Sequence, residues 1–192
     1  MESLVTTSRR TALALKTQAV TLGGAVGAFW TVFAANVLVN GALMQYGVIP
    51  RTLLGLRGIL FAPFIHGSVE HLVSNTVPFL LLGWLVMVRD SRDFVRVTLA
   101  SMLGAGLMAW LLGAPGSVHI GASGVIFGYL GFLMAAGWYD RSFFRILLSV
   151  GVTVLWGGLV FGVLPGQPGI SWQGHFGGFV GGFLAARALR RG

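Results

Sequence analysis

Long intervals of this chain carry no charge. Residues 17–50, 71–88, 97–139 and 146–186 contain no Asp, Glu, Lys or Arg. The apolar runs inside them are continuous and do not alternate, which predicts membrane-spanning helices rather than barrel strands. Composition agrees. Of the 192 residues, 55% are hydrophobic and 9% charged, and the mean hydropathy is +0.83. A soluble domain is roughly a quarter charged. A disordered chain is excluded by the same figures. The absence of cysteine excludes a disulfide-stapled secreted scaffold. The fold class is an all-α integral membrane protein.

Gly and Pro breaks divide the intervals further. Gly113-Ala114-Pro115-Gly116-Ser117 splits the third, and Leu164-Pro165-Gly166-Gln167-Pro168-Gly169 splits the fourth. Six spans result, at about 19–40, 71–88, 97–113, 121–138, 146–163 and 172–188. Residues 41–69 are too polar and too broken for a span, yet too rich in Leu, Ile and Phe for a loop in water. They predict a membrane-embedded first loop. Residues 1–16 carry Arg9, Arg10 and Lys16 but no convincing small-residue cleavage site, so they predict a short cytoplasmic tail rather than a signal peptide. The whole chain, 1–192, predicts one transmembrane domain.

The net charge of +8 raises the question of nucleic acid. The basic residues sit in short clusters between apolar runs and do not line one helix face, so they act as topology determinants. With six spans, Arg9, Arg10, Lys16, Arg89, Arg92, Arg96, Arg141, Arg145, Arg187, Arg190 and Arg191 share one side; only Arg51 and Arg57 lie on the other. Both termini are therefore expected in the cytoplasm. The Arg-for-Lys bias looks like that of a GC-rich genome, and the expected location is a cell membrane, the bacterial inner membrane.

Polar groups inside a membrane are costly and by default mark function. His66, His71, His119 and His175 all fall on the outer side of this topology. His71 and Asn75 are four apart, on one helix face. They either tie two helices together or point two donors at a buried site. The fourth span opens Gly121-Ala122-Ser123-Gly124. In a chain with 30 glycines a lone G-x-S-G is a weak signal. Its context is stronger, because Ser123 follows a break and starts a helix. Free amides and positive potential at such an end suit a developing oxyanion. Gly174, Gly177, Gly178, Gly181 and Gly182 form a smooth stripe on the sixth span. Gly121, Gly124, Gly128 and Gly131 do the same on the fourth. If the stripes meet, Ser123 and His175 converge at one depth as nucleophile and base. A third, acidic member is missing, since only Glu70 lies on the outer side. A metal site is not expected: there is no H-E-x-x-H and no cysteine.

Together these stretches resemble the rhomboid family of intramembrane serine proteases. The matches are His66-Gly-Ser-Val-Glu-His71-Leu-Val-Ser-Asn75, Gly121-Ala-Ser123-Gly, and His175-Phe-Gly-Gly178-Phe-Val-Gly-Gly182. The resemblance implies an endopeptidase with Ser123 as nucleophile and His175 as general base. It implies an oxyanion hole made by His71, Asn75 and the Ser123 N–H. Phe127 stands where many members have a Tyr stacked on the histidine, and Gly121, Gly124, Gly128, Gly174, Gly178 and Gly182 serve helix packing. The first loop has no Trp-Arg pair, another departure from many members. The implied partners are the bilayer and single-pass membrane substrates, entering beside the fifth span and cut near the outer face. No cofactor is implied. An inactive relative that binds membrane proteins, or a small transporter, is the alternative. An inactive relative should lack Ser or His, and a transporter should carry a charge deep in a span.

Overall fold

In the computed structural model, which describes residues 2–167 and 169–190, the described residues form helices joined by short turns. Pro168 of the expected break and Arg191 of the basic set lie outside those residues. In order come α1 (Glu2–Leu38), the one-turn α2 (Gly58–Phe61), α3 (Val69–Arg89), α4 (Ser91–Leu112), α5 (Ser123–Asp140), α6 (Phe143–Trp156) and α7 (Trp172–Ala188). Between α1 and α3 the chain makes 3-10 turns at Ala42–Tyr46, Leu54–Arg57 and Ala62–Phe64 around α2. This is the expected first loop, and its backbone is coiled into turns rather than extended.

Side chains set several helix ends. Ser68 precedes α3 and accepts a hydrogen bond from the His71 N–H. Ser171 precedes α7 and accepts from Gly174 N–H. Such caps satisfy amides that have no intrahelical partner, each worth about 1 kcal/mol. Asp90 caps α4 by accepting from Arg92 N–H and is the single residue between α3 and α4. That corrects the expected boundary at residue 97. The charged residues 91–96 form the first turns of α4, because Asp90 starts the helix as soon as α3 ends. α1 likewise begins before residue 19, and α6 passes into a 3-10 segment, Gly157–Val163, within its expected span.

Four helical segments are long and apolar enough to cross a membrane: Thr11–Leu38, Val69–Arg89, Ser91–Leu112 and Phe143–Val163. The chain is a multi-pass membrane protein on that ground. α5, with 18 residues, and α7, with 17, are not among the four. α7 is short and carries Gln173, His175 and Arg187, and α5 ends on the polar Asp140; α5 is largely interior, and α7 is buried along its glycine faces. Residues 124–133 of α5 are all buried. A helix that faces other helices needs close packing more than apolar side chains.

α7 lies between α4 and α5 at glycine contacts. A Cβ at Gly178 or Gly182 would run into the carbonyl oxygen of Gly124 or Gly128 on α5. One at Gly177 or Gly181 would meet that of Gly104 or Ala100 on α4. At the opposite end from Ser123, Arg89 donates to Asp140 at 2.8 and 2.9 Å, to the Leu189 carbonyl at 2.7 Å, and to Asp93. Arg145 adds a 2.8 Å bond to Asp140. Arg89, Asp93 and Asp140 are buried there and Arg145 is partly exposed, and the cluster ties α3, α4, α5, α6 and the end of α7.

Candidate active site

The turn before α5 builds the site. Gly121 has φ +104°, a conformation side chains rarely adopt. Its N–H donates to the Ala62 carbonyl at 2.8 Å, which hangs the turn on the first loop. A Cβ there would also come within 2.5 Å of His71 Nε2, so glycine is required twice over. The Ala122 N–H points at His66 Nε2, 3.5 Å away. Burial, with the nearby His71 adding to it, pulls the His66 pKa down to about 4. The ring is therefore neutral at neutral pH and keeps a lone pair for that amide. No side chain caps α5, which leaves the first-turn amides unclaimed by a cap.

Ser123 and His175 meet. Ser123 Oγ is 2.7 Å from His175 Nε2. The other ring nitrogen, Nδ1, is 2.9 Å from the Gly162 carbonyl. A carbonyl only accepts, so Nδ1 carries the proton and Nε2 is free to accept from the serine hydroxyl. Phe127 lies flat on the imidazole, with centroids 4.1 Å apart and planes within 12°. Glu70 is exposed; the place a triad carboxylate would take at Nδ1 is held by a backbone carbonyl. Gly162 was invisible to sequence reasoning, because every residue has a carbonyl and nothing in the code marks this one.

His71 and Asn75 line a cavity of about 780 Å³ together with Ser123, Phe127 and His175. Asn75 is buried and its Nδ2 donates to the His71 carbonyl of its own helix at 2.7 Å. Nδ2 carries a second N–H beyond that bond. The His71 ring packs edge-on against His66, centroids 5.0 Å apart. His119 and Ser171 line the same cavity. The sequence placed His119 only as one of four outer histidines and did not single out Ser171, although a serine just before an apolar helix is a readable cap signal. Among the described residues, no three His, Cys, Asp or Glu side chains form a metal-ligand set.

Comparison with known proteins bears on this site. A family model described as a rhomboid domain matches residues 54–192. An uncharacterized protein of Mycobacterium tuberculosis is 41% identical over 151 residues, covering 74% of this chain and 63% of its own length. The chain thus spans less than two thirds of that relative. Rhomboid protease GluP of Bacillus subtilis is 32% identical over 133 residues, 68% of this chain and 25% of its own. RHOMBOID-like protein 4 of Arabidopsis thaliana is 30% identical over 138 residues, 68% of this chain and 33% of its own. With its matched region running from the first loop through both residues of the serine–histidine pair, the chain belongs to the rhomboid family.

Proposed function

We propose that this chain is an intramembrane serine endopeptidase that cuts single-pass membrane proteins near the outer face. The observation that carries the reading is the 2.7 Å contact between Ser123 Oγ and a His175 whose far nitrogen is bonded to the Gly162 carbonyl. His175 Nε2 takes the hydroxyl proton as Ser123 Oγ attacks the scissile carbonyl. The tetrahedral oxyanion is held by the Ser123 N–H, the His71 ring and the free N–H of Asn75. The proton on Nε2 then passes to the leaving amine, and the peptide bond breaks. Water, deprotonated by the same nitrogen, hydrolyses the acyl-enzyme. Gly162 and Phe127 orient the base without a carboxylate. The relative named rhomboid protease supports the reading.

The protein sits in the cell membrane with six spans and both termini in the cytoplasm, and the substrate enters beside α6. Supporting this path, Val154, Leu155 and Phe161, toward the end of the Phe143–Val163 segment that meets the cavity at Leu159, are exposed. The test is reconstitution with a helical single-pass substrate. Cleavage should appear with the wild type and vanish with Ser123→Ala or His175→Ala at unchanged thermal stability, and a fluorophosphonate should label Ser123. Cleavage that survives Ser123→Ala, or that a chelator stops and zinc restores, overturns the reading.

A further inference from the structure

The cavity holds a second serine–histidine contact. His119 Nδ1 is 2.6 Å from Ser171 Oγ, and His119 Nε2 is 3.0 Å from Ser117 Oγ. The groups at the ends of this chain fix its direction. Ser117 Oγ donates to the Ala114 carbonyl at 2.7 Å, so it must accept from Nε2–H. Nδ1 is then the acceptor of a hydrogen bond from the Ser171 hydroxyl. Ser171 Oγ in turn accepts from Gly174 N–H at 3.3 Å. Every donor has an acceptor, and the imidazole is neutral. The His119 backbone is held as well. Its N–H and carbonyl exchange hydrogen bonds with Val48 of the first loop, both at 2.9 Å.

The placement of this pair gives it a task. His119 lies four residues before Ser123, and Ser171 four before His175, one helical turn away through the His175 N–H to Ser171 carbonyl bond of 3.0 Å. The first contact therefore joins the same two chain segments as the second, with serine and histidine exchanged. Apart from two ring contacts, Phe127 on His175 and Tyr139 on Phe183, α5 and α7 meet along glycines at Gly124–Gly178 and Gly128–Gly182. A smooth glycine face brings two backbones close but offers few knobs to resist sliding along the axis. The distance from Ser123 Oγ to His175 Nε2 depends on that axial register, and a displacement of about 1 Å in an active site can cost about 100-fold in rate.

We propose that His119 and Ser171 form a positioning clasp that locks the start of α7 to the turn before α5 and so sets the dyad distance; this rests on the dyad reading above. Neither residue touches the reacting atoms. Ser171→Gly removes the hydroxyl, and glycine is itself well tolerated at a helix cap. Ser171→Thr keeps both hydroxyl and cap. His119→Phe keeps the ring and removes both nitrogens. Cleavage kcat and KM, the rate of fluorophosphonate labelling at Ser123 and thermal stability are measured for each.

Ser171→Gly and His119→Phe should each lower kcat and the labelling rate about tenfold, with KM within twofold. Ser171→Thr should stay within about threefold of wild type. The double variant should be no slower than the slower single, because the two residues act as one unit. Kinetics within twofold of wild type in Ser171→Gly overturn the clasp. So do losses that track melting temperature, a double variant as slow as the product of the singles, or a Ser171→Thr as slow as Ser171→Gly. If His119→Phe does not fold, the Ser171 pair decides the matter alone. Ser123→Ala is run beside them: if it still cleaves, the dyad reading fails; if it is dead while Ser171→Gly is fully active, only the clasp fails.

Discussion

Asn75 shows how one side chain separates two readings of the same motif. As a tie between helices it would need a partner on a neighbour. Its hydrogen bond goes instead to the His71 carbonyl on its own helix, which leaves one N–H beside the cavity it lines with Ser123. A donor of that kind is worth about 10²–10³ in rate when it meets an oxyanion. Asn75→Ala should therefore slow turnover by about that factor with little change in melting temperature. Asn75→Asp should be slower still, because it sets negative charge next to the developing one. The Ser123 N–H remains in both, so neither should be as inactive as Ser123→Ala. Initial cleavage rates beside thermal melts check this. An Asn75→Ala that cleaves at the wild-type rate, or loses rate only in step with melting, removes Asn75 from the catalytic set.

At the scale of elements, the glycine stripes were legible because 3.6-residue periodicity puts i, i+4 and i+8 on one face. Gly178 and Gly182 do lie against Gly124 and Gly128. The same reasoning could not find that α7 has a second smooth face, Gly177 and Gly181, against α4. Both sets lie in one sequence run, and only the three-helix packing sorts them. Hydropathy also marked helix starts poorly where charged residues open a helix, as at Ser91, since a cap and not apolarity decides that boundary. The loop contacts that finish the site, Gly162 on His175 and Ala62 on Gly121, are backbone bonds with no side-chain signature. The packing leads to a direct test. Gly178→Ala puts a methyl into a backbone carbonyl that cannot turn away, so α5 and α7 must part. Overpacking of this sort costs about 1–3 kcal/mol. Because Ser123 and His175 ride on these two helices, cleavage should fall by more than the stability loss explains. Gly151 on α6 has nothing within 4 Å of where a Cβ would sit. Gly151→Ala should leave the melting temperature unchanged or raise it, since alanine favours a helix interior by about 0.5–1 kcal/mol. Equal melting temperatures and rates for the two variants would show that the close approach of α5 and α7 is not needed.

For the whole molecule the question is how many helices cross. The count of six rests on charge-free intervals, and the two expected spans outside the four long apolar segments are α5 and α7, the helices that carry Ser123 and His175. The short length of α7 and the polar end of α5 at Asp140 set them apart, and the alternative of four crossings by α1, α3, α4 and α6 makes different predictions. Both topologies place the two termini on one side, so a reporter at the C-terminus does not separate them. A reporter at Gly116 follows three crossings in either case and reads outside in both. Reporters at Arg141 and Gly166 do separate them. If α5 crosses, Arg141 returns to the cytoplasm and Gly166, after α6, lies outside. If α5 does not cross, both readings invert. The basic residues favour six, because Arg141 and Arg145 then join Arg89, Arg92 and Arg96 in the cytoplasm. The cluster of Arg89, Asp93, Asp140 and Arg145 then lies at one membrane face, with the Ser123 cavity toward the other. Fusions at Gly116 and Gly166 should therefore read external, and those at Arg141 and the C-terminus cytoplasmic. A cytoplasmic Gly166 with an external Arg141 would put Ser123 and His175 on helices that do not span. An inverted pattern at all four sites would open the cavity to the cytoplasm and move the expected cut to the inner face of the substrate.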